Sequence, residues 1–182
     1  MSRLPVPAID HAHAAAKPLL DAVHKQLGVV PNLMKLVGHS PAALEGFLAL
    51  SGALAKGRLD LGLRERIALT VAEFNACDYC LAAHSYLGRN LAKLDEGEIA
   101  AARDGRSADP RIEAALRFAG RVAAERGRVG DADLAALRAA GFADAEVVEI
   151  VANVALNVLT NYVNNVAQTP VDFPRVELKR AA

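Results

Sequence analysis

The chain has 182 residues, of which 53% are hydrophobic but only 4% aromatic, with no Trp. The apolar excess lies in Ala, Leu and Val, the composition of closely packed helices, and the length suits one domain spanning residues 1–182. Its 21 basic and 21 acidic residues cancel and are interspersed, which excludes a charged footprint for nucleic acid or for an anionic membrane surface.

From the start, Met1-Ser2-Arg3-Leu4-Pro5-Val6-Pro7 has no apolar run of signal-peptide length. A first helix is expected over about residues 11–26, closed by Gly28. Pro31 and Asn32 open a short helical segment that ends near Gly38. Ser40-Pro41 then sets an N-cap before a proline at the first helical position. The helix it starts runs through Phe47 and Leu54 and stops at Lys56-Gly57. The spacing predicts a helix over residues 63–76, with Ile67, Leu69 and Val71 supplying apolar surface, and another that carries Cys80 and His84 and fades near Lys93. Asp95, Asp109, Asp131 and Asp144 each read as the N-cap of a later helix, the last running to about Gln168. The expected fold is all-α. A faint echo between the segments starting at Gly52 and Gly120 hints at a duplicated helical hairpin. The longest uncharged stretch, Ile150 to Val171, holds Asn153, Asn157, Asn161, Asn164 and Asn165. Those amides are costly in a bilayer, so a transmembrane span is excluded and a soluble, cytoplasmic protein is expected.

The chemistry concentrates between residues 65 and 84. Glu65 is followed, after eleven intervening residues, by Cys77-Asp78-Tyr79-Cys80, and His84 stands four positions after Cys80. These are the only two cysteines in the chain. In a reducing compartment such a pair points to catalysis or metal binding before a structural staple. Cys77, Cys80 and His84 fall at i, i+3 and i+7, one face of a helix. With Cys77 at the helix start, Cys80 sits in the first turn, where free N–H groups and the helix dipole favour a thiolate over a thiol of ordinary pKa, about 8.5. His84 can take or pass on its proton, and Glu65, on the preceding helix, can orient the imidazole. Two thiolates, His84 and Glu65 also count as four zinc ligands, but cysteines and histidine on one helical face suit a tetrahedron poorly. Two buried, inert cysteines are the plainest alternative. Glu73, one turn before Cys77, competes with Glu65 but reads better as a solvated charge.

Glu65-x11-Cys77-x2-Cys80-x3-His84, the Leu63-Arg64-Glu65-Arg66 start, Gly28-Val29-Val30-Pro31-Asn32 and Ser40-Pro41 together resemble the AhpD-like alkylhydroperoxidases. These belong to the carboxymuconolactone decarboxylase-like superfamily, and the resemblance is strongest to its peroxidase-related group. It implies an all-α fold with a dithiol core over roughly residues 40–130, assembled as trimers or dimers of trimers. It also implies roles: Cys80 the peroxidatic nucleophile, Cys77 the resolving thiol, and His84 with Glu65 the proton relay, a dithiol donor restoring the thiols. No cofactor or bound metal is implied. One departure is Tyr79, which stands where better-studied members carry a histidine; a phenol is a poor base at neutral pH. The decarboxylase branch generally lacks the cysteine pair, so the cysteines argue against that activity.

Three weaker features complete the reading. The amide stripe on the last helix, if buried, needs partners, either on another helix across a subunit interface or around a pocket at Asn157 or Asn161. His11 and His13 beside Asp10 have metal-like spacing but read as surface residues. Tyr86 and Phe47 read as core. The function expected is thiol-dependent reduction of alkyl hydroperoxides by a homo-oligomer, through a Cys77/Cys80 cycle. The alternatives are thiol–disulfide exchange, or a redox-sensing or zinc-binding helical module without catalysis.

Overall fold

The computed structural model describes residues 2–179. After a single 3-10 turn at Ile9–His11, the helices in chain order are α1 (Lys17–Leu27), α2 (Asn32–Val37), α3 (Pro41–Leu54), α4 (Leu61–Phe74), α5 (Asp78–Asn90), α6 (Glu96–Arg103), α7 (Pro110–Ala124), α8 (Asp131–Ala139) and α9 (Asp144–Ala167). Among the described residues there is no strand, and no helix is long and apolar enough to cross a membrane. The fold is all-α, as the composition and periodicity imply.

Short polar side chains set most helix starts. The Ser40 side chain accepts from the backbone N–H of Ala43, and Asp60 accepts from Leu63. Asp95 and Glu98 close a reciprocal capping box, and Asp109 accepts from Arg111 and Ile112. Asp131 and Asp144 lie one residue further in than the sequence suggests. Gly130 and Ala143 hold the cap positions, and the backbone N–H groups there donate to Asp133 and Glu146 of the first turns. The first helix also starts later than expected, at Lys17. Residues 9–11 form the 3-10 turn, and His11 and His13 are exposed. Gly28 ends α1 with φ +73°, a left-handed conformation that favours glycine.

Helix α4 is the axle. It packs against α5, α6, α7 and α9 and is buried along most of its length, with Ile67, Leu69 and Val71 fully enclosed. Around it, Leu81 of α5, Leu116 of α7 and Ile150 of α9 complete the main core. A smaller cluster, Leu20, Val23, Val30 and Leu44, joins α1 to α3. The polar groups on α4 are paired: the Thr70 hydroxyl donates to the Ala102 carbonyl at 2.7 Å, and Arg66 pairs with Glu98. Glu73, expected as a solvated charge, is 3% exposed; its carboxylate accepts from Arg103 Nε at 2.7 Å and from the Lys179 backbone N–H at 2.6 Å. A guanidinium from α6 and a backbone N–H from the C-terminal segment converge on that position, which periodicity on α4 alone does not reveal.

Beyond α9 the chain runs as an extended strap back over the helices. The Asp172 carboxylate accepts from the Asn32 N–H at 2.8 Å, and Phe173 meets the Tyr79 ring edge-on at 5.7 Å and tilts against Tyr86 at 5.8 Å. Arg103 donates to the Glu177 carbonyl, and the Lys179 ammonium pairs with Asp104. Tyr86 is therefore a half-exposed contact for the strap rather than a core residue, and Phe47 is partly buried. Removing one member of a buried pair leaves an uncompensated charge. Glu73→Ala is therefore expected to lower unfolding free energy by about 3 kcal/mol or more in a urea titration, with a conservative Glu73→Gln costing less.

Candidate active site

The site is built at the corner between α4 and α5. Asn75 ends α4, Ala76 takes φ +49°, and Cys77 starts α5 as its N-cap. A left-handed Ala is uncommon and costs energy, so the surrounding contacts must hold it. They come from α9: Asn75 Nδ2 donates to Asn161 Oδ1 at 2.9 Å, and Asn165 Nδ2 donates to the Asn75 carbonyl at 2.8 Å. The corner thus turns sharply enough to lay α5 against α4 and bring Glu65 opposite His84.

Cys77 occupies the position where Ser, Thr or Asp usually caps a helix. Its sulfur accepts from the Cys80 backbone N–H at 3.2 Å. Both cysteines are free, and they are 0% and 2% exposed, so only a reactant admitted into the protein reaches them. The Glu65 carboxylate and His84 Nδ1 lie 2.8 Å apart. A carboxylate can only accept there, so Nδ1 carries the proton and Nε2 remains the ring's free nitrogen. The structure therefore brings Glu65, Cys77, Cys80 and His84 together as the sequence suggests.

Electrostatics separates the two thiols. Burial pushes the Cys80 thiol up, but a hydrogen bond from Cys77, the charge of His84 and the amides of Asn164 and Asn161 outweigh it and lower it to about 7. The Cys77 thiol is pushed strongly upward, first because it donates to Cys80, then by burial and by the charge of its neighbour. Burial also works against the charged form of His84, but the Glu65 charge and hydrogen bond, with Cys80, raise its pKa overall. At a helix N-terminus these influences favour the thiolate form of Cys80 and the charged form of His84, while Cys77 is favoured as the thiol.

Tyr79 and the asparagine stripe take places that the sequence did not specify. Tyr79 faces away from the relay: its hydroxyl accepts from the Leu33 N–H at 3.1 Å. Burial, with the Asp172 carboxylate opposite, pushes the phenol up, so it stays neutral and serves as an anchor between α5, α2 and the strap. The asparagine stripe points inward within one chain. Asn153, Asn157, Asn161 and Asn164 are buried, and Asn164 Nδ2 donates to Cys80 Sγ at 3.2 Å. Their three- and four-residue spacing is the signal for a shared face; what stood opposite it was not readable from α9 alone. A surface cavity of about 560 Å³ among α4, α6 and α7, bordered by Glu73 and Arg103, lies apart from the thiols. Among the described residues no group of three or more His, Cys, Asp or Glu is placed to hold a metal ion.

Fold and site together define an all-helical protein with a helix-capping cysteine pair backed by a histidine–glutamate pair. The profile of the carboxymuconolactone decarboxylase family matches residues 41–125, which contain that pair. A peroxidase-related protein with an alkylhydroperoxidase AhpD core from Ralstonia eutropha JMP134 is 31% identical, with a TM-score of 0.83 over 94% of this chain and 92% of its own. A peroxidase-related protein from Silicibacter sp. TM1040 is 26% identical, with a TM-score of 0.80 over 93% and 91%. The debrominase Bmp8, as a C82A variant with 2,3,4-tribromopyrrole, shares the fold at 18% identity and a TM-score of 0.76 over 93% and 90%. No curated protein matches the chain significantly. The chain belongs to the AhpD-like, carboxymuconolactone decarboxylase-like superfamily.

Because Cys80 titrates near 7, its alkylation by iodoacetamide is expected to be half-maximal near neutral pH, rising to a plateau above and vanishing below. In His84→Gln the imidazolium no longer favours the thiolate, so the midpoint should move up, read by mass spectrometry of alkylated Cys80 across pH 5–9.

Proposed function

We propose that this protein is a thiol-dependent peroxidase that reduces alkyl hydroperoxides through a Cys77/Cys80 dithiol–disulfide cycle. The observation that carries this reading is the asymmetry of the pair: a Cys80 lowered to about 7 beside a Cys77 held protonated, with His84 fixed by Glu65 at 2.8 Å. Similarity to peroxidase-related proteins supports the same substrate class.

The Cys80 thiolate attacks the terminal oxygen of R–O–O–H. An S–O bond forms as the O–O bond breaks, and the departing alkoxide takes a proton from the His84 imidazolium to leave as the alcohol. Sulfur is oxidised by two electrons to a sulfenic acid and the peroxide is reduced. Cys77 then attacks the Cys80 sulfur; an S–S bond forms as the S–O bond breaks, and the displaced hydroxide leaves as water with the proton that Cys77 gives up. A dithiol, either a small molecule or a thiol protein, restores both thiols by exchange and is itself oxidised to a disulfide. Two free cysteines suit a reducing, cytoplasmic setting.

The same reading includes a homo-oligomer. The outer face of α9 carries Val148, Val151, Leu159, Tyr162 and Val166, all exposed, and the helix is charge-free from Ile150 onward. A second copy, rather than the buried asparagines, is what such a face would meet.

One equivalent of cumene hydroperoxide added to the reduced protein is expected to remove both thiols as an intramolecular disulfide, read by intact mass and thiol count. Cys80→Ser should abolish the reaction, Cys77→Ser should stop at a trappable sulfenic acid, and Glu65→Gln should slow it about tenfold or more. Thiols that survive peroxide but are lost to an oxidised small dithiol would replace this reading with thiol–disulfide exchange.

A further inference from the structure

The buried stripe on α9 divides into two pairs with different hydrogen bonding. Asn153 Nδ2 donates to the Glu149 carbonyl and Asn157 Nδ2 to the Asn153 carbonyl, each at 2.8 Å, so these amides fold back on their own helix. The side chains of Asn161 and Asn164 instead turn away from their own helix to the α4–α5 corner. Asn161 spends its carbonyl oxygen on Asn75 Nδ2, which fixes the amide plane; its Nδ2 then lies near enough to Cys80 to favour the thiolate, yet has no aligned partner. Asn164 donates from Nδ2 to Cys80 Sγ, and its Oδ1 has no donor. The two residues are 0% and 2% exposed. A donor and an acceptor left unmade at that depth are costly, and such groups cluster where a ligand completes them. An aliphatic side chain at either position would fill the space without that cost.

We propose that Asn161 and Asn164 form the receptor for the hydroperoxide group at Cys80, with Asn164 Oδ1 accepting the substrate's O–H and Asn161 Nδ2 donating to its oxygen. The inference rests on the peroxidase reading and assigns the substrate-recognising atoms of that site. A terminal –O–O–H carries one donor and two acceptor oxygens, which matches the unpaired acceptor and donor beside the nucleophile. A disulfide, or a dialkyl peroxide, brings no donor for Asn164 Oδ1. The chemistry is consistent with the hydrogen bond persisting: when Cys80 attacks the terminal oxygen, that oxygen keeps its hydrogen in the sulfenic acid. The hydrogen bond to Asn164 therefore need not break, and Asn161 stabilises negative charge as it develops on the separating oxygens. Asn164 Nδ2 meanwhile holds the sulfur, so one amide grips both reacting partners. The other groups around the sulfur are Cys77 and His84, with Glu65 behind the imidazole and Asp78 and Tyr79 adjoining in sequence. From Ile150 onward α9 brings no charged group.

The test compares two electrophiles on the reduced, full-length protein. Cumene hydroperoxide and iodoacetamide both consume the Cys80 thiolate, but only the first offers an O–H. Rates are taken across pH 5–9 and compared on the plateau, where Cys80 is fully ionised, for the natural sequence, Asn164→Ala, Asn161→Ala and the control Asn153→Ala. The expected result is a peroxide rate about tenfold or more lower in the Asn161 and Asn164 variants, with alkylation within about threefold and the control unchanged. Equal proportional losses for both electrophiles, or no loss, would overturn the assignment while leaving the peroxidase reading intact. A natural-sequence protein that alkylates normally but ignores peroxide would instead remove that reading, and this inference with it. Should the α9 variants not fold, Cys80→Ala supplies the second measurement. Side-chain amide NMR signals of Asn161 and Asn164 should shift with tert-butyl hydroperoxide and not with di-tert-butyl peroxide; equal responses refute the receptor.

Discussion

The site depends on one local substitution of chemistry: a cysteine does the work of a helix cap. Cys77 accepts the Cys80 N–H that a serine or aspartate would ordinarily accept. That contact fixes the first turn of α5 and, in the same geometry, places the two sulfurs within reach of each other. The cap is weaker than an oxygen cap, and Ala76 beside it adopts a left-handed conformation. The energy that holds the corner therefore comes from elsewhere, from Asn75 and its two hydrogen bonds to α9.

Much of this was legible in the chain. The helices follow from Ala, Leu and Val at helical spacing, punctuated by Gly28, Ser40-Pro41, Asp95 and Asp109. The site residues follow from local spacing, since Cys77, Cys80 and His84 share one helical face and Glu65 sits on the helix just before. What was not legible depends on partners far away in sequence. Glu73 looks like any helix-surface carboxylate until Arg103 and Lys179 close over it. The asparagine stripe announces a special face but not its target, because Cys80 lies more than eighty residues earlier. Asp60 is a good cap missed because Leu61 and Gly62, the first residues of α4, add no periodic signal.

Tyr79 illustrates the same divide. It stands beside Cys80 as a poor base, and adjacent helical residues point about 100° apart, so Tyr79 faces a different neighbour from Cys80. Here that neighbour is the N-terminus of α2 together with Asp172 and Phe173 of the strap. The phenol is well suited to that place: large, neutral when buried, and able to hydrogen-bond at its tip. On the other face of α5, His84 and Glu65 pair with each other at 2.8 Å without the phenol.

Burial of the thiols is consistent with the rest of the arrangement. A thiolate inside the protein is costly in proportion to the water it loses, and burial is the largest single influence opposing ionisation of Cys80. Several modest donors offset it: a thiol, an imidazolium and the amides of α9. Each was placed by a different element, namely the cap of α5, the α4–α5 pairing that brings Glu65 to His84, and the inward face of α9. The ionisation of Cys80 therefore depends on the packing of three helices rather than on the two-cysteine motif by itself.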